Sequence, residues 1–128
     1  MAPSCSPKSR KAVGDAAEEL ALRWLLARGL VLVERNYRVA RGPSARGGEV
    51  DLILRERDGT VVFVEVRSRA DTSHGGAAAS VTPAKRRRIL WAAQHFVRRL
   101  GDPPPCRFDV VAIDGDAIEW LRAAFNAD

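Results

Sequence analysis

Hydrophobic and polar positions recur along this chain in two rhythms. Between residues 12 and 28, Val13, Ala17, Leu20 and Trp24 return at helical spacing with Ala21 and Leu25 beside them, which predicts an amphipathic helix. Gly29 then supplies a left-handed cap, with Leu30 placed for the capping contact. Alternating and continuous apolar runs follow. They predict strands over 30–39 (LVLVERNYRV), 49–55 (EVDLILR) and 60–68 (TVVFVEVRS). The β-branched run of the third predicts a central strand. Asp58-Gly59 marks a hairpin turn between the second and third strands.

Residues 40–48 (ARGPSARGG) read as a mobile basic loop, and residues 69–81 as a Gly/Ala/Ser loop. Thr82-Pro83 opens a second helix as N-cap and first helical residue. That helix runs to about Leu100 and stops at GDPPP. A strand over 106–113, a turn over 114–116 and a short strand over 117–122 complete the chain. The order α-β-β-β-α-β-β predicts a mixed α/β domain over 12–128 behind a flexible tail over 1–11, with one sheet and helices packed on its faces.

Composition narrows the class. The chain has 128 residues, 46% of them hydrophobic, which suits one folded domain and excludes overall disorder. No apolar run approaches the ~20 residues of a membrane-spanning helix. Residues Met1 to Arg10 lack the apolar core of a secretory signal. Cys5 and Cys106 form no disulfide framework or zinc spacing, and neither His74 nor His95 has metal-ligand spacing. The simplest compartment is the cytoplasm, with no membrane partner. Lys and Arg total 21 against 16 Asp and Glu, a net charge of +5, and 18 of the 21 are Arg. Such a surface attracts phosphates and points to nucleic acid; a merely basic soluble protein is the plainer alternative.

Against that background the carboxylates stand out. By strand alternation Val50, Leu52 and Leu54 share one face, while Glu49, Asp51 and Ile53 share the other. On the next strand Glu65 closes a run of Val and Phe on the face of Val61 and Phe63, with Arg67 beyond it. Burying an ionised carboxylate costs several kcal/mol unless it is paired or bound to a metal. A three-residue hairpin loop with Gly59 left-handed places Asp51 opposite Glu65 and Glu49 opposite Arg67; a two-residue turn separates them. Two readings stand: an oxygen-ligand metal site, suited to Mg²⁺ or Mn²⁺, or an Arg67–carboxylate salt bridge without catalysis. On the first helix Glu18 falls at the border of the apolar face and reaches toward this site, whereas Glu19 falls in solvent.

Several stretches together resemble a known family. Gly14-Asp15-Ala16-Ala17-Glu18 with Ala21, Arg35-Asn36-Tyr37-Arg38, Gly48-Glu49-Val50-Asp51-Leu52-Ile53, Phe63-Val64-Glu65-Val66-Arg67, Lys85-Arg86 and Arg107-Phe108-Asp109-Val110-Val111 look like the bacterial YraN-like family of the PD-(D/E)XK, restriction-endonuclease-like superfamily. The likeness covers roughly residues 12–125 and extends to archaeal Holliday-junction resolvases. It implies a restriction-endonuclease-like αβββαβ core with a mixed central sheet flanked by helices. It implies that Asp51 and Glu65 ligate Mg²⁺ or Mn²⁺, with the Val66 carbonyl as a further ligand. Glu18 completes the shell or holds a water in it, and Glu49 supports it. Arg67 takes the place of the motif lysine. The activity implied is metal-dependent endonucleolytic hydrolysis of phosphodiester bonds, on DNA before RNA; branched or damaged DNA and a homodimer are what the junction resolvases suggest, and the residues leave branched against linear substrate and oligomeric state open. Arg67 cannot act as a general base because a guanidinium keeps its proton. The alternative is therefore a nucleic-acid-binding module that kept the fold without catalysis. Residues of the 40–48 loop interrupt the family pattern and add Arg41 and Arg46, read either as a basic flap or as a tolerated insertion.

The second helix carries Lys85, Arg86, Arg87 and Arg88 in its first turns, where cations oppose the helix dipole. The apolar face of Ile89, Ala93, Phe96, Val97 and Leu100 leaves Lys85 at its border, within reach of the acidic site. Trp91 falls on the outer face among Arg87, Arg88, His95 and Arg98. An exposed Trp there stacks on an unpaired base or makes a protein contact.

Overall fold

The computed structural model describes residues 10–40, 47–68 and 76–126, with the side chains of 10–13 left aside. Its elements are α1 (Arg10–Ala27), β1 (Val31–Val39), β2 (Gly48–Arg55), β3 (Val61–Ser68), α2 (Gly76–Ser80), α3 (Pro83–Arg98), β4 (Cys106–Asp114) and β5 (Ala117–Phe125). The strands form one sheet in the order β1-β2-β3-β4-β5. All neighbours are antiparallel except β3 and β4. The fold is mixed α/β, with the Val-rich β3 at the sheet's centre.

Punctuation residues do what their chemistry dictates. Gly29 ends α1 at φ 94. Its N–H donates to the Leu26 carbonyl at 3.0 Å and that of Leu30 to Leu25 at 3.3 Å, a Schellman cap. Thr82 caps α3 by accepting from the Lys85 N–H at 3.2 Å, with Pro83 in the first turn. The β2–β3 loop is Arg57-Asp58-Gly59. Glu56 and Thr60 pair across it through an N–H to carbonyl bond of 2.9 Å, and Gly59 sits at φ 93. This is the three-residue loop that sets Asp51 opposite Glu65.

Two cores sandwich the sheet. Leu52, Leu54, Val62 and Val64 pack with Ala21, Leu22 and Leu25 of α1. Ile53, Phe63 and Val110 pack with Ile89, Ala92 and Phe96 of α3.

The expected alternation over 50–54 fails at one point. Val50 joins Ile53 in the α3-side core, while Leu52 and Leu54 face α1. The cause lies across the strands. Arg35 pairs with Leu52 and Tyr37 with Val50, so Asn36 stands against Asp51, and Asn36 is left-handed at φ 50. An αL residue turns the strand over, and asparagine tolerates that conformation. Tyr37 is thereby buried against Phe96 at 5.4 Å, whereas Arg35 faces α1 and pairs with Glu19 at 3.1 Å.

Other boundaries moved. Residues 10 and 11 belong to α1, α3 stops at Arg98, and β5 runs on to Phe125. The short α2 lies inside the expected 69–81 loop. Trp91 is half-buried rather than outward-facing, because Gly48 at the start of β2 presses on α3. A Cβ on Gly48 would overlap the Arg88 carbonyl, lie 2.8 Å from the Ala92 nitrogen and touch Trp91 Cδ1 at 3.1 Å. The wheel underweighted Ala92, which is fully buried, and that turned the calculated face away from Trp91.

Candidate metal centre

The acidic residues meet where β2 and β3 part. The ladder between these strands ends at the Leu52–Val64 pair. One residue on, the Asp51 carboxylate takes the place of a carbonyl and accepts the Val66 N–H at 2.9 Å. Glu65, 2% exposed, shares a hydrogen bond with Asp51. Burial pushes the Glu65 carboxyl up to about 8, aided by the Asp51 charge and opposed by Lys85. Burial likewise raises Asp51, against the lowering effect of the Val66 N–H. Two carboxyl groups this close cannot both ionise without a compensating cation.

Glu18 approaches from α1. Its carboxyl rises to about 7, first through burial and then through the charges of Asp51 and Asp15. Glu19 turns outward to Arg23 and Arg35 at 3.1 Å each. The helical wheel places Glu19 in solvent, whereas it is partly exposed and tied to β1 through Arg35.

Cations frame the carboxylates from both sides. Lys85 of α3 places Nζ 3.2 Å from Glu65 and 4.0 Å from Glu49. Arg67 lies 3.5 Å from Glu65, and its Nε donates to Ser80 Oγ at 3.2 Å. Arg67 does not pair with Glu49, because the strands have parted before that register. Glu49 instead meets Arg38 at 3.4 Å and Arg88 at 3.8 Å.

The other α3 cations point elsewhere. Arg86 donates to the carbonyls of Val81 at 3.1 Å and Ala78 at 3.2 Å and lies over Phe125. Arg87 is exposed on the β5 side. Trp91 stacks edge-on against His95 at 4.4 Å. Arg41 and Arg46 lie outside the described residues. Arg38, Arg88 and Ser80 were not foreseen. Arg88 follows Lys85 by three residues and so shares its helix face, a signal the sequence did carry.

The donors suit a hard divalent cation: all oxygen, buried, and crowded enough to retain a proton. No group of three or more His, Cys, Asp or Glu converges on one point among the described residues. Asp51 and Glu65 are the pair in contact, so any cation there would need further ligands beyond these two carboxylates.

Residues 17–113 match the model of uncharacterised protein family UPF0102. The chain belongs to the UPF0102 family. A UPF0102 protein of Methylibium petroleiphilum is 67% identical over 117 residues, covering 91% of this chain and 96% of that one. One from Acidovorax sp. strain JS42 is 57% identical, covering 97% and 92%. One from Cupriavidus taiwanensis is 53% identical, covering 98% and 91%. The UPF0102 match spans Glu18, Asp51, Glu65, Lys85 and Asp109 and leaves out all of β5. No helix among the described residues is long and apolar enough to cross a membrane.

Proposed function

We propose that this UPF0102 protein is a metal-dependent nuclease with a PD-(D/E)XK core, hydrolysing phosphodiester bonds in DNA. The observation that carries the reading is the Asp51–Glu65 pair: two carboxyl groups in contact at the parting of β2 and β3, with Lys85 Nζ 3.2 Å from Glu65. A bound Mg²⁺ or Mn²⁺ lowers the pKa of a water and neutralises charge building on the phosphate. Asp51 and Glu65 would hold that ion with the Val66 carbonyl as a further ligand, and Glu18 would orient a water beside it. Lys85, unlike Arg67, is an amine able to exchange a proton, and it stands where it can orient the attacking water. Arg67 and Arg88 supply guanidinium forks for phosphate oxygens. The net charge of +5 draws the polyanion toward this acidic centre in its basic frame.

Arg67 in place of a lysine supports a second reading, a nucleic-acid-binding module without hydrolysis. One assay separates the two. Branched, single-stranded and duplex DNA are incubated with the protein and Mg²⁺ or Mn²⁺, beside Asp51→Asn and Glu65→Gln. The nuclease reading expects metal-dependent cleavage that falls about a thousandfold or more in either variant. Binding without cleavage by the native protein supports the module. Cleavage that survives both substitutions overturns the assignment of the site.

A further inference from the structure

Arg67 and Lys85 flank one carboxylate oxygen, Oε2 of Glu65, at 3.5 and 3.2 Å. Both are long side chains with much rotamer freedom to lose. Glu65 and Arg67 stand two residues apart on β3, so one face of the sheet carries both. Their ion pair does not by itself fix the guanidinium, because tight charge-assisted hydrogen bonds close to ~2.7–2.9 Å. The orientation of Arg67 has to be set from elsewhere.

The turn Ser80-Val81-Thr82, between α2 and α3, supplies it. The Ser80 hydroxyl donates its one proton to the Ala77 carbonyl at 2.6 Å. Its lone pairs then accept the Arg67 Nε–H at 3.2 Å. The turn is anchored in its own right. Ala77 and Val81 are 6% and 1% exposed in the α3-side core. Arg86 donates to the carbonyls of Val81 and Ala78 at 3.1 and 3.2 Å. Two residues after Ser80, Thr82 accepts the backbone N–H of Lys85 itself. One three-residue turn therefore places both cations that flank Glu65.

The Ala77 bond is all that closing α2 asks of Ser80. The second bond, to Arg67, reaches a different element and sets a different group. With Nε on Ser80 and Nη1 beside Glu65, the guanidinium plane is fixed at two points before any ligand arrives, which lowers the ordering cost of binding one. We propose that Ser80 is a positioning residue for phosphodiester hydrolysis: through Arg67 Nε it holds the guanidinium in the pose that meets a phosphate oxygen beside Glu65. This role rests on the nuclease reading above. Ser80 acts through Arg67 and touches no substrate.

The test is a double-mutant cycle in Mg²⁺-dependent cleavage of duplex and branched DNA, read as kcat/KM. Ser80→Ala is expected to lower it about tenfold. In Arg67→Lys, which has no Nε to hold, the same change is expected to cost less than about twofold. Ser80→Thr keeps the hydroxyl and is expected to stay within about twofold of the native protein. NMR of the metal-free protein gives a readout apart from cleavage. The Arg67 Nε–H, assigned by its absence in Arg67→Lys, is expected to exchange with water at least about tenfold faster in Ser80→Ala. A loosened α2 would cost the same in both backgrounds, so the cycle decides even where Ser80→Ala lowers Tm. The proposal alone is overturned if the native protein cleaves and Ser80→Ala cleaves equally well. Equal losses in the two backgrounds, a tenfold loss in Ser80→Thr or unchanged Nε–H exchange overturn it too. A native protein that cleaves no DNA removes the nuclease reading itself, and this role with it.

Discussion

Two buried carboxylates on neighbouring strands live in opposite surroundings. Asp109 on β4 is 0% exposed. Arg107 grips it in a fork at 2.9 and 3.0 Å, Trp120 Nε1 donates at 2.8 Å, and the Ala123 N–H at 2.9 Å. Each oxygen receives two donors. The left-handed Ala123, at φ 52, and the irregular pairing between Phe108 and Val110 turn the β5 backbone toward it. Glu65 on β3 is as deeply buried, yet a second carboxyl group, Asp51, presses on it. The first charge is matched by four hydrogen bonds; the second is met by Lys85 at 3.2 Å and Arg67 at 3.5 Å, yet it shares them with a second carboxyl group that raises its proton affinity. Burial of a carboxylate alone does not mark a site. Burial beside a second carboxyl group is the less common arrangement, and perturbed groups of that kind cluster at functional sites.

The largest effect that would break this contrast comes from Asp109→Ala. It strands Arg107, Trp120 and the Ala123 N–H, and a loss of roughly 3–5 kcal/mol is expected. Calorimetry should show Tm falling by on the order of 15 °C. A drop of only a few degrees would erase the distinction.

Next comes pH. Glu18 and Glu65 have folded pKa values of about 7 and about 8, above the ordinary 4.5. Their contribution to stability is complete below the ordinary value and is lost as pH rises through 7 to 8. Without divalent cations, Tm should fall on the order of 5–10 °C between about pH 5 and pH 9. Mn²⁺ should reverse the loss at the alkaline end. Glu65→Gln should flatten this dependence and leave the metal-free protein at least as stable near pH 8, since it removes a charge and keeps the shape. The smallest effect belongs to Glu49→Gln. That residue is 30% exposed among three cations at 3.4–4.0 Å, and urea denaturation should register less than about 1 kcal/mol.

Much of this was legible in the residues. Gly29, Gly59 and Thr82 are local signals whose outcome does not depend on distant packing, and each acted as its chemistry predicts. The hairpin register followed from Gly59, and with it the meeting of Asp51 and Glu65. The assignment of Glu18 over Glu19 followed from one turn of a helical wheel. What stayed hidden depends on contacts between segments far apart in sequence. The left-handed Asn36 inverts its strand, and alternation counted from the sequence cannot register a face change imposed by the opposing strand. Trp91 looked exposed because nothing local reveals that Gly48 admits α3 to van der Waals distance. Arg86 sits in a basic run, and only the fold shows its guanidinium spent on the carbonyls of α2 and its neighbour Val81.

The single parallel pair, β3 with β4, has a kinetic consequence. Every other strand pair is joined by a short connection, whereas this one closes a connection running from residue 69 to residue 105 and carrying α2 and α3. Loop closure of that length delays contact formation more than it weakens the final state. The β1–β2–β3 meander and the β4–β5 hairpin can therefore form as separate local units and dock along one line. Glu65 lies on that line, facing Val110 across the new pairing, and Lys85 arrives with the same crossover. Before docking, Glu65 already faces Asp51 within the meander but lacks the cover of β4 and the Lys85 cation. Burial is the first cause of the raised Glu65 carboxyl, so its proton affinity depends on β3 and β4 being joined.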